Sequence, residues 1–165
     1  MPPATIIGID PGTATTGYGI VRAEGSHCAV VTYGTIRTPS DRSRAERLRM
    51  IHDALDRLIL DHSPDIMAVE QLFFSRNVKT AMAVGEARGV VLLTAACRSV
   101  PVFEYTPTAV KQSLSGYGRA GKHDIQQMVA WALDLAELPR PDDAADALAV
   151  ALCHLFQTRL EGVPS

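Results

Sequence analysis

Two unbroken apolar runs in this chain each end on a carboxylate, and that pairing constrains the fold more than any other feature. Ile6-Ile7-Gly8-Ile9 leads into Asp10, and Ile66-Met67-Ala68-Val69 leads into Glu70. Short continuous apolar runs bounded by turn signals read as strands inside a layered α/β sheet. Each acid then stands at a strand end. A third acidic group, Asp142, Asp143 and Asp146, opens an otherwise apolar helix. An unpaired carboxylate in a sheet is costly, so its repetition points to a cation and hence to a metal-dependent enzyme.

The rest of the chain fits around those two strands. Thr5 to Asp10 is a buried strand stopped by Pro11-Gly12-Thr13, and Gly17–Ala23 and Cys28–Arg37 follow it as antiparallel neighbours. Ser43-Arg44-Ala45-Glu46 reads as a capping box. Leu48, Ile51, Leu55, Leu58 and Ile59 then share one helical face. Ile66 to Gln71 is the fourth strand. A helix over 78–98, rich in Ala and Gly, either lies tightly on the sheet or forms a subunit interface. Pro101 to Tyr105 is the fifth strand, and Thr106-Pro107 starts a short helix carrying Val110, Lys111 and Leu114. A basic Gly-rich loop, Ser115 to Gly121, precedes helices over Lys122–Glu137 and Pro141–Leu160. The expected fold is therefore a mixed five-stranded sheet flanked by helices on both faces. One domain spans the 165 residues, with a short disordered tail from about 161.

Bulk properties exclude several classes. The apolar stretches are shorter than the ~20 residues of a membrane span, and nothing at the N-terminus resembles an export signal. Three widely spaced cysteines, Cys28, Cys97 and Cys153, indicate neither a disulfide framework nor a zinc site. These features read as a reduced, cytoplasmic protein with no membrane partner. A net charge of −2 conceals basic clusters at 42–49, 76–88 and 111–123, with acid gathered from Asp134 to Asp146. A basic surface beside an acidic pocket suits a metal enzyme acting on a polyanion.

Asp143 and Asp146 lie three apart and share a helix face, whereas Asp142 points elsewhere and reads as a cap. With Asp10 and Glu70 they make an all-oxygen donor set, which selects Mg²⁺ or Mn²⁺ over zinc. Four carboxylates suffice for two ions about 4 Å apart, the arrangement for in-line displacement at phosphorus. No Gly-x-Ser-x-Gly elbow occurs, and the five histidines show no ligand spacing.

The ordered motifs Gly8-Ile9-Asp10-Pro11-Gly12-Thr13, Gly17-Tyr18-Gly19, Val69-Glu70-Gln71-Leu72-Phe73, Ala87-Arg88-Gly89-Val90, Val102-Phe103-Glu104-Tyr105, Val110-Lys111-Gln112 and Asp143-Ala144-Ala145-Asp146-Ala147-Leu148-Ala149 together resemble the RuvC family of Holliday junction resolvases. The resemblance implies a ribonuclease H-like fold and a homodimer cutting four-way junction DNA by paired symmetric nicks. It implies Mg²⁺ dependence with two ions per subunit, Mn²⁺ substituting, and cooperation with the RuvA and RuvB branch-migration proteins. The family's four acidic positions fall on Asp10, Glu70, Asp143 and Asp146, and its two functional lysines on Lys111 and Lys122. Phe73 matches an aromatic that stacks on bases at the junction centre, with Phe74 beside it. Arg76, Asn77 and Lys79 on the same segment are candidate phosphate contacts.

Two other readings share the first motif. Actin-like ATPases and sugar kinases carry a similar phosphate loop but need two such domains, and this chain has room for one. A ribonuclease H-like family that trims ribosomal RNA precursors fits less well at the Glu70 and Asp143–Ala149 segments.

Overall fold

A computed structural model describes residues 3–71 and 78–161. Its sheet runs in the order β3-β2-β1-β4-β5, with β1 Ala4–Asp10, β2 Thr15–Glu24, β3 His27–Arg37, β4 Ile66–Glu70 and β5 Val102–Tyr105. The first three strands are antiparallel, and β1, β4 and β5 are parallel. The helices are α1 Arg44–His62, α2 Val78–Cys97, α3 Pro107–Ser115, α4 Lys122–Ala132 and α5 Asp142–Glu161. The mixed five-stranded sheet covered on both faces is thus as expected from the sequence.

Strand alternation sorts the central residues into two cores. Ile7 and Ile9 of β1 and Met67 and Val69 of β4 join Ile51, Leu55 and Ile59 of α1 and Ala87, Val91 and Ala95 of α2. Ile6 and Ala68 face the other way, toward Leu148, Leu152 and Leu155 of α5, with Val110 of α3 and Val129 of α4. By the same parity Asp10 and Glu70 face α5. That helix lies almost on the strand backbone. An ideal Cβ on Gly8 would stand 2.1 Å from the Ala147 carbonyl oxygen, and one on Gly17 would stand 1.9 Å from that of Asp143. Only glycine permits such an approach.

Local signals account for most boundaries. Glu46 N–H donates to Ser43 Oγ at 3.3 Å and Ser43 N–H to Glu46 Oε2 at 2.8 Å, completing the capping box. Thr106 caps α3 by accepting from Ala109 N–H at 3.1 Å. One boundary differs: α4 was expected to reach Glu137 but ends at Ala132. Asp134 takes a left-handed φ of 51°, and Leu135 N–H turns back to the Ala130 oxygen at 2.9 Å. Asp tolerates that conformation better than most residues, so the helix can stop there despite its apolar continuation.

Candidate active site

The parallel register sets Ile9 beside Val69, so Asp10 and Glu70 end adjacent strands on one face. Asp10 also pairs with Gly17, over which the first turn of α5 lies with Asp143. Asp146 follows one turn later, the one residue not fully buried between Ala144 and Leu155. The four predicted carboxylates therefore converge where β1 and β4 meet the N-terminus of α5.

Their mutual field is strong. Burial, then the charges of Glu70 and Asp146, push the Asp10 carboxyl up to about 8. Burial also raises Glu70, opposed by its interaction with the Asp10 carboxyl. Burial raises Asp146 too, against the pull of Lys122. Among the described residues, no three acids or other metal-ligating side chains are yet drawn together tightly enough to form a metal shell. The donor chemistry nonetheless fits a hard cation: oxygen ligands only, at a place where added positive charge relieves unfavourable ionisation.

Lys122, the first residue of α4, donates to Asp146 Oδ2 at 3.1 Å and lies 3.3 Å from Asp142 Oδ2. Burial works against its ammonium, but Asp146 and Asp142 outweigh this and raise its pKa. Lys111 joins Lys122, Glu70 and Asp146 around a cleft of about 220 Å³ that also contains Pro107, Val110 and Ile125. The structure thus brings together Asp10, Glu70, Asp143, Asp146, Lys111 and Lys122. Phe73, Phe74, Arg76 and Asn77 lie outside the described residues, as does the side chain of Lys79.

Asp142 has contacts beyond the capping role its position suggests. Rather than serving only as a cap, it accepts from Gln126 Nε2 at 3.0 Å and pairs with Lys122. The overlooked signal was a double i,i+4 spacing: Asp142 and Asp146 on α5 face Lys122 and Gln126 on α4. His154 is buried and shares a 2.7 Å hydrogen bond with the Tyr105 hydroxyl.

Sheet order, paired strand-end acids and a facing acidic helix define a nuclease of the ribonuclease H-like fold. Residues 6–154 match the family model described as crossover junction endodeoxyribonuclease RuvC. A crossover junction endodeoxyribonuclease RuvC from Alkaliphilus oremlandii is 56% identical over 149 residues, covering 90% of this chain and 91% of that protein. One from Syntrophomonas wolfei is 53% identical over 155 residues, covering 94% and 90%. Among solved structures, Thermus thermophilus RuvC in complex with a Holliday junction substrate superposes with a TM-score of 0.92 at 38% identity, covering 96% of each chain. The chain belongs to the RuvC family.

Proposed function

We propose that this chain resolves four-way DNA junctions as a homodimer, each subunit hydrolysing one phosphodiester with divalent cations held by Asp10, Glu70, Asp143 and Asp146. The observation that carries the reading is the convergence of four carboxylates beside two lysines in a fold matching a junction-bound RuvC. Bound Mg²⁺, two ions per subunit with Mn²⁺ as substitute, supplies an activated water and charge stabilisation for the leaving 3′ oxygen. Asp10 must give up its proton for the set to hold cations. Lys122 and Lys111 line the adjoining cleft, where Lys122 acts as a catalytic group on the scissile phosphate and Lys111 neutralises a neighbouring one. By family resemblance Phe73 stacks on bases at the junction centre; Arg76 and Lys79, basic residues on the same segment, hold phosphates.

The dimer is formed through α2. Residues 80–97 of that helix are long and apolar enough to span a membrane by length and composition. One stripe, Ala87, Val91 and Ala95, is fully buried in the core, while Met82 and Leu93 are 58% and 61% exposed. Glu86 and Arg88 pair with Arg44 and Glu104, which suits a protein surface rather than lipid. Gly89 is exposed, and a Cβ there would meet nothing within 4 Å. A mid-helix glycine costs about 1 kcal/mol, and this one is explained by the close approach of a second helix. A cytoplasmic location rests on the cysteine pattern and the N-terminal sequence, and partnership with RuvA and RuvB on the resemblance.

The test is incubation of the protein with a synthetic four-way junction, matched duplex, an RNA hybrid and ATP. Symmetric Mg²⁺-dependent nicks confined to the junction are expected. Turnover of ATP or preferential cutting of the hybrid contradicts the proposal.

A further inference from the structure

Four arginines fall within residues 42–49, and the structure treats one of them differently. Arg42 pairs with Glu46, Arg44 with Glu86 and Arg49 with Asp53. Arg47 makes no ion pair among the described residues. Its Nε instead donates to Thr38 Oγ1 at 2.8 Å. Thr38 is only 7% exposed; its hydroxyl donates to the Thr13 oxygen at 2.5 Å and its N–H to the Ala14 oxygen at 3.1 Å. The turn receiving these bonds is held as well. Thr13 Oγ1 donates to the Ala83 oxygen at 2.6 Å, and Thr16 Oγ1 to the Gly12 oxygen at 2.7 Å. A buried hydroxyl therefore orients the guanidinium through Nε and leaves both terminal nitrogens for a ligand. A planar cation held this way without a carboxylate is suited to phosphate.

Arg47 lines an open groove of about 550 Å³ together with Gly12, Thr13, Thr15, Val84 and Asp143. Asp143 connects that groove to the acidic site. The Lys111–Lys122 cleft is lined by α3, α4 and α5, whereas Arg47 belongs to α1 on the opposite face of the sheet. The geometry points to a second phosphate subsite: Arg47 grips a backbone phosphate of the strand being cut, on the far side of the scissile bond from Lys111 and Lys122. This rests on the junction-nuclease reading and extends it. Two fixed cationic contacts bracketing the acids favour a continuous polynucleotide over a free nucleotide.

The test measures junction binding by fluorescence anisotropy in Ca²⁺, across a salt series, for the unaltered protein, Arg47→Gln, Arg47→Lys and Thr38→Val. Thermal unfolding checks that each variant folds. Arg47→Gln is expected to bind roughly tenfold more weakly and to lower the salt slope by about 1 per subunit. Arg47→Lys recovers the slope but only part of the affinity, and Thr38→Val loses affinity with its charge intact. Methylphosphonates are then placed one at a time around the cut. One position weakens binding by the unaltered protein and has no further effect on Arg47→Gln. An unchanged slope, or an identical interference pattern in the two proteins, overturns the subsite. Failure of the nuclease reading is seen separately, as absence of junction cutting by the unaltered protein, and the slope on whatever DNA it binds still reports on Arg47.

Discussion

Helices α2 and α5 are each 20 residues long and rich in small side chains, yet the structure uses those side chains in opposite ways. In α5 every residue from Ala144 to Leu155 except Asp146 is buried, and the glycines of β1 and β2 let the helix sit on the strands. That contact fixes Asp143 and Asp146 above Asp10 and Glu70. In α2 only one stripe enters the core, and Met82, Gly89 and Leu93 face outward. Small residues thus hold two acidic side chains against the sheet in one helix and leave an exposed apolar stripe in the other.

The contrast can be broken most severely at α5. Gly17→Val places side-chain atoms where the Asp143 carbonyl now sits, and it is expected to cost about 3 kcal/mol of stability and all cutting. Chemical denaturation and a junction assay check this. On α2, Leu93→Arg is expected to leave the fold intact but yield monomers by sedimentation, with paired nicks lost; a stable dimer would remove α2 from the interface. Gly89→Ala offers the sharpest comparison with α5. It should stabilise the isolated subunit by about 1 kcal/mol while weakening dimerisation.

A further prediction concerns protons. The folded-state pKa of Asp10 is raised from 3.8 to about 8, so the metal-free fold retains a proton that the unfolded chain has lost across that window. Its stability therefore falls as pH rises through the window, and a cation removes the cost. The thermal shift produced by Mg²⁺ should be larger at about pH 8 than at about pH 5.5. The smallest effect belongs to Asp142→Asn. Lys122 keeps Asp146 as a partner, so cutting should fall less than about tenfold, as for loss of one exposed ion pair.

Much of this was legible in the chain itself. The runs ending at Asp10 and Glu70 read directly as strands, because short continuous apolar runs closed by turn signals leave few alternatives to a strand buried on both faces. Ser43 and Glu46 marked the start of α1 through local chemistry. What stayed hidden depended on tertiary contact. Asp142 looked like a cap because its partner, Lys122, lies on another helix. Arg47 looked like its neighbours until Thr38 was brought against it. The end of α4 turned on the backbone at Asp134, which hydrophobic periodicity does not report. For α2, the packing reading holds for one stripe, Ala87, Val91 and Ala95, while Met82 and Leu93 face outward.

The central claim is that the four carboxylates form one metal-dependent cutting site. Its most direct test is Glu70→Gln on a synthetic four-way junction in Mg²⁺, with binding and cutting measured on the same sample. The account predicts unimpaired junction binding with no nicks; substantial cutting by the Glu70→Gln protein would contradict it.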